Sequence, residues 1–240
     1  MKKFLIASTA LVAFAAGAQA ADLGAPRMPI AAAVVAPAFS WTGFYIGLNA
    51  GYGWGNYTQF SASGVGVGVS PKGFVGGGQI GYNWQMNNFV FGLEADIQSG
   101  PRGSTPQGTV GPFWSCGTGP CVVNVNWFGT ARARAGIAAD KALFYVTGGL
   151  AYGGFNGGIL NSLQAGSSTR VGYAAGAGIE YAFAPNVTAK LEYLYTNLGS
   201  AEFGTGVGAE RFRASGSFHT VRVGLNYLFS TGPSAVVARY

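Results

Sequence analysis

An all-β fold, an eight-stranded antiparallel up-and-down transmembrane β-barrel, is what this sequence predicts, and three observations predict it. Apolar and small-or-polar residues alternate with a period of two: Phe44, Ile46, Leu48, Ala50, Tyr52 and Trp54 form one row, and Tyr45, Gly47, Asn49, Gly51 and Gly53 the other. The same alternation recurs in eight stretches, and the charged residues within them fall on the small-and-polar row. Long and short connections between the stretches take turns. Together these describe a wall that is greasy outside and polar inside.

The eight strands are expected at 44–54, 74–85, 89–98, 122–138, 143–155, 170–183, 187–198 and 218–229. Each is long enough to cross, since a tilted strand needs only about 9–11 residues. The connections 55–73, 99–121, 156–169 and 199–217 are long and rich in Gly, Ser and Thr, whereas 86–88, 139–142 and 184–186 are tight turns. Long loops outside and short turns inside are the habit of outer-membrane barrels, and an even strand number puts both chain ends on the periplasmic side. The outward row continues through Phe74, Ile80, Tyr82 and Trp84; Phe89, Phe91, Leu93 and Ile97; Val125, Trp127, Ala131 and Ile137; Phe144, Val146, Leu150 and Tyr152. It ends with Val171, Tyr173, Ile179, Tyr181 and Phe183; Leu191, Tyr193 and Tyr195; Val221, Val223, Leu225, Tyr227 and Phe229. Its aromatics gather towards both strand ends, as two interfacial girdles require.

Residues outside the strands divide the rest of the chain. Residues 1–20 read as a cleaved secretory signal: Lys2 and Lys3, an apolar run from Phe4 to Ala16, then Ala18, Gln19 and Ala20. That run is shorter than the roughly 18 residues a membrane helix needs. Residues 21–40 form an Ala- and Pro-rich periplasmic linker, 41–229 the barrel, and 230–240 a tail with no assigned role. The composition, 41 glycines with 14% aromatic and only 9% charged residues, is odd for a soluble domain and suits a membrane barrel. Basic residues are scattered without a cluster or stacking platform, which argues against nucleic acid as a partner. Cys116 and Cys121, in Cys-Gly-Thr-Gly-Pro-Cys with no histidine nearby, point to a disulfide closing a small exposed loop; no metal site and no cofactor are expected.

The inward row carries Glu94, Asp96, Arg132, Arg134, Glu180, Lys190, Glu192 and Arg222, four acids and four bases. Counted from the short turns they form a belt in the periplasmic half to middle. In a barrel of this strand number side chains fill the interior, so the belt narrows the lumen and a wide porin channel is disfavoured. Above it the inner row turns small (Gly51, Gly53, Gly77, Gly149, Ala151, Gly153, Gly172, Ala174 and Gly176). Those residues suit either a shallow wet vestibule or strong strand curvature.

Particular segments match a family. Residues 40–47 (Ser-Trp-Thr-Gly-Phe-Tyr-Ile-Gly), 74–85 (Phe-Val-Gly-Gly-Gly-Gln-Ile-Gly-Tyr-Asn-Trp-Gln), 91–96, 147–152, 190–193 and 220–227 together resemble the alphaproteobacterial small outer-membrane β-barrel family, often labelled "porin family" and OmpA-like in its barrel. The resemblance covers nearly the whole mature chain. It implies an abundant surface protein of the Gram-negative outer membrane with a role in the cell envelope, and haem binding or slow diffusion in some relatives. It also implies a closing aromatic that the outer-membrane assembly machinery reads, which Phe229 with Tyr227, Leu225, Val223 and Val221 supplies better than Tyr240.

Other functions compete with that reading. A narrow pore for small solutes is one, and a lipid A-modifying enzyme is another, built from His219 with Ser217 on the same face and Glu210 in the preceding loop. No catalytic residues are expected, because the residue types alone do not make a triad. A soluble ligand carrier would need the apolar row inside. Lys72, Arg102, Arg170, Arg211 and Arg213 outnumber Glu202 and Glu210 on the outer side, which fits either ordinary solvated loop charge, slightly favoured because exposed charges are individually weak, or contact with lipopolysaccharide phosphates beside outer-membrane lipid. The oligomeric state is not readable from the residues.

Overall fold

The computed structural model describes residues 39–60, 66–104, 110–111, 114–115, 121–159, 166–203 and 212–230. Eight long antiparallel strands make the wall: β1 (Gly43–Phe60), β2 (Lys72–Met86), β3 (Phe89–Ser99), β4 (Cys121–Ala139), β5 (Ala142–Ile159), β6 (Gly166–Ala184), β7 (Val187–Phe203) and β8 (Phe212–Ser230). Each pairs with its neighbours in chain order, and β1 pairs with both β2 and β8, which closes the sheet. The closing seam runs unbroken from Gly43 opposite Ser230 to Phe60 opposite Arg213. Closure leaves no long strand with an open edge.

The short turns form where left-handed backbone is cheap. Asn87 and Asp140 take φ of 55° and 53°, a region that Asn and Asp visit more readily than other side chains. At the opposite end the strands run further than hydropathy predicts: β1 continues from Trp54 to Phe60, and β8 begins at Phe212 instead of Phe218. Above the membrane the outer face meets water instead of lipid, so the hydrogen-bond ladder persists with Tyr57 still buried and Asn56 exposed, but no apolar outer row marks it.

The outward row stands where expected, with Leu48 73% and Phe74 86% exposed, and one member is corrected. Val125 is buried, not outward. A β-bulge lies between Val125 and Trp127, and an extra residue in one strand reverses the facing of everything beyond it. Pro101, which has no N–H to give, stands opposite: β3 stops at Ser99, Val125 N donates to Pro101 O at 3.1 Å, and Arg102–Ser104 then resumes pairing with β4. A second bulge, between Asn197 and Ser200, contains Gly199 at φ 71°.

Inside, the described residues stack in three layers. Trp41, Val90, Leu143, Tyr145 and Ala182 pack at the short-turn end, with Phe39 edge-on to Trp41 at 5.0 Å. Trp41 N donates to Gln85 Oε1 at 2.8 Å, and Gln85 N to Thr42 Oγ1 at 2.9 Å, which ties the segment before β1 across the mouth. The charged residues occupy the middle. Beyond them lies a second apolar layer: Phe128 and Phe218, perpendicular at 4.8 Å, with Leu194, Leu198, Val75 and Val125, all buried.

That upper layer removes the wet vestibule. The inner glycines are approach points for neighbouring strands: a Cβ on Gly51 would lie 2.2 Å from Val221 O and 2.7 Å from Arg222 Cα, and one on Gly149 2.2 Å from Ala131 O. Large inner side chains lie over bare backbone on the adjacent strand. The small row therefore serves packing and curvature, not an opening.

Candidate functional site: the buried charge belt

Each belt residue reaches the axis because its strand keeps strict alternation at that level. Glu94 and Asp96 are two apart on β3, Arg132 and Arg134 on β4, Lys190 and Glu192 on β7; Glu180 comes from β6 and Arg222 from β8. Cross-strand register sets acid opposite base at Glu94–Arg132, Glu180–Lys190 and Glu192–Arg222. All eight side chains are buried.

Arg132 is the hub. Its guanidinium reaches Glu94 at 2.5 Å, Asp96 at 3.0 Å and Glu192 at 2.7 Å, so one planar group bridges β3 and β7 across the lumen. Arg222 meets Glu192 at 2.6 Å and Asp96 at 2.9 Å; Lys190 meets Glu94 at 2.7 Å; Arg134 meets Glu180 at 2.6 Å. Arg134 also stands 4.3 Å from the centre of the Tyr145 ring, a cation–π placement. Four acids and four bases thus neutralise one another.

Uncharged groups on the same inner rows add hydrogen bonds, while Arg134 Nε and Arg222 Nη1 stay without one among the described residues. Tyr45 Oη donates to Glu94 at 2.8 Å, Thr130 Oγ1 to Asp96 at 2.8 Å, and Asn226 Nδ2 to Glu180 at 2.8 Å. Gln79 Nε2 donates to Asn226 Oδ1 at 2.5 Å, and Gln79 Oε1 accepts from Asn49 Nδ2 at 3.0 Å. Sequence reasoning counted only formal charges and missed these partners, though their inward parity was visible. Through them β1 and β2, which bring no charge to the belt, still join the network.

Taking charges out of water costs several kcal/mol per ion, and pairing recovers that only when geometry and extra hydrogen bonds are good, as here. The network's clearer effect is on register. A strand slipped by one residue would point its charges into lipid, so the belt penalises every wrong pairing.

The remaining candidate residues divide as follows. Val221, Val223, Leu225, Tyr227 and Phe229 all face outward, and Phe229 packs on Phe44 at 5.7 Å and Tyr227 at 4.9 Å. His219 and Ser217 share the outer face of β8, but His219 Nδ1 lies 2.6 Å from Tyr193 Oη, where a triad would place a carboxylate. Lys72 and Arg102 are exposed and side by side in the register. Residues 1–38, Cys116, Glu210, Arg211 and the tail beyond Ser230 lie outside the described residues, as do the side chains of Cys121, Glu202 and Arg213, so the disulfide, signal and linker readings stay expectations.

Known proteins are similar to this chain. Residues 6–229 match the family model described as outer membrane protein beta-barrel domain. The 31 kDa outer-membrane immunogenic protein of Brucella melitensis is 44% identical over 95% of this chain and 100% of its own. The 22 kDa outer membrane protein of Rhizobium leguminosarum is 33% identical, covering 82% of each. Among solved structures, the outer membrane protein OprG from Pseudomonas aeruginosa superposes with a TM-score of 0.52 over 80% of this chain and 99% of its own, at 11% identity, a likeness of fold alone.

Proposed function

Since the chain belongs to the outer membrane protein beta-barrel domain family and is an outer-membrane β-barrel, we propose that it works as a sealed wall element of the envelope that carries its long hairpins on the cell surface. One observation carries the reading: the lumen is filled in three layers, with the charge belt closed above by Phe128 and Phe218 and below by Trp41 and Leu143. Solute would have to displace an apolar layer, an ion-paired one and another apolar one. The Brucella melitensis relative is named an immunogenic outer-membrane protein, which fits a protein displayed at the surface.

The role needs no chemistry. His219 is engaged by Tyr193 and stacked against Trp54 at 5.9 Å, which fits an interfacial ring better than a general base. Its partners on this reading are outer-membrane lipid, including lipopolysaccharide, and the assembly machinery that reads the β8 end. Planar-bilayer recording of the refolded protein is expected to give no sustained current. A stable open level would instead favour the narrow pore. Truncating Arg132 and Arg134 together removes only the middle layer, so it is expected to leave the barrel closed unless Phe128 and Phe218 are cut back as well.

A further inference from the structure

One cross-strand row on the outer wall sets two cations beside a run of interfacial rings. Arg102 stands opposite Lys72, Lys72 opposite Trp54 on β1, Trp54 opposite His219 on β8, and His219 opposite Tyr195 on β7. Directly paired residues share a face, so all five point away from the lumen. Four interstrand steps of about 4.8 Å make the row about 20 Å long. It begins with two cations and continues as a ridge of rings.

The ridge is ordered internally. Trp54 and Tyr193 lie nearly parallel to the His219 ring, at 22° and 26° and both 5.9 Å between centroids, and Tyr195 lies 5.3 Å from it. Tyr193 occupies Nδ1, so Nε2 is the ring nitrogen left without a partner among the described residues. Neither Lys72 nor Arg102 forms an ion pair with a described residue.

Its level is equally specific. On the lumen-remote face, Phe74, Tyr52, Val221 and Tyr193 lie just below the row; Asn56, Ser217 and Asn197 lie just above it. The row therefore marks the boundary between hydrocarbon and headgroups on the long-hairpin side. A ligand there must be anionic at one end, present flat sugar-like faces to the rings, and already be held at the membrane surface. Aromatic rings suit pyranose faces, and Arg and Lys suit phosphate.

We propose that this row binds the headgroup of a phosphorylated glycolipid of the outer leaflet: Lys72 and Arg102 take a phosphate, Trp54 and Tyr195 take sugar faces, and His219 Nε2 hydrogen-bonds a hydroxyl or phosphate oxygen. The inference rests on the outer-membrane reading above and adds a defined lipid contact to it.

Native mass spectrometry of the delipidated, refolded protein tests it, with three probes: a bis-phosphorylated acylated glucosamine disaccharide, the same disaccharide without phosphates, and phosphatidylglycerol. The protein is expected to retain one bis-phosphorylated molecule and to hold the other two more weakly. Lys72→Gln with Arg102→Gln should weaken retention about tenfold, as should Trp54→Ala alone, since losing a charge-assisted bond or a stacked face costs on that order. Equal retention by the double variant overturns the proposal, as does phosphatidylglycerol bound as tightly as the glycolipid. Heat-modifiable gel migration of the same samples separates the two readings. Intact migration with indifferent binding removes the site alone, whereas loss of heat modifiability in the unmutated protein removes the barrel.

Discussion

Arg132→Ala is expected to lower the unfolding free energy in detergent by about 3–5 kcal/mol, because removing one partner of a buried ion network leaves opposite charge uncompensated. The side chain faces three carboxylates, at 2.5, 3.0 and 2.7 Å. Without it the belt holds four acids against three bases, and Asp96, Glu192 and Glu94 are left with Arg222, Lys190 and a longer Arg134 contact to Glu94 at 3.5 Å. Arg132→Lys should recover little, since a single ammonium cannot reproduce a planar fork shared among three acceptors. Removing an acid as well, in Arg132→Met with Glu192→Met, should be milder than the sum of the separate losses. Urea midpoints followed by tryptophan fluorescence or gel shift read these variants together with the two single Met substitutions and the unmutated protein. An unchanged midpoint for Arg132→Ala would mean that water reaches the belt, and the sealed lumen would fail with it.

The wall makes the opposite demand. Leu48 is 73% exposed near the middle of the outward row of β1, so Leu48→Arg is expected to cost about 2–4 kcal/mol, the penalty for a cation facing hydrocarbon at mid-depth. Thr169, exposed on β6 beyond the apolar band, offers the contrast: arginine there should change stability by no more than about 0.5 kcal/mol. Reconstitution in vesicles followed by urea titration compares the two. If both substitutions cost the same, the outer band is not in lipid.

How much of this the residues disclosed depends on where lipid does the sorting. Within the bilayer the alternation was complete enough to place Glu94, Arg132, Arg222 and their companions inside, and Leu48, Leu93 and Leu225 outside, before any coordinates. Val125 failed because a bulge is one extra residue, and hydropathy registers the change of parity only after Trp127. The long hairpins failed for another reason, since their outer face meets water and carries no apolar row, even though Tyr57 stays buried on the inner one. The small inner residues left a wet vestibule and strand curvature both open, and only packing decides: Gly51, Gly149 and Gly176 are where Arg222, Arg132 and Leu194 lie against a neighbouring strand. The plug of Phe128 and Phe218 was in view as two inward aromatics, but only packing shows that they meet. The belt's uncharged members, Tyr45, Gln79 and Asn226, needed distances.

Single-tryptophan quenching in vesicles tests the inside-out polarity most directly. Trp84 lies on the outer face and Trp41 is fully enclosed. With every other tryptophan replaced by Phe, acyl-brominated phospholipid is expected to quench Trp84 strongly and to leave Trp41 bright, and aqueous iodide is expected to leave Trp41 bright as well. Trp41 quenched by iodide would contradict the sealed lumen, and Trp41 quenched by lipid while Trp84 stays bright would reverse the barrel's faces.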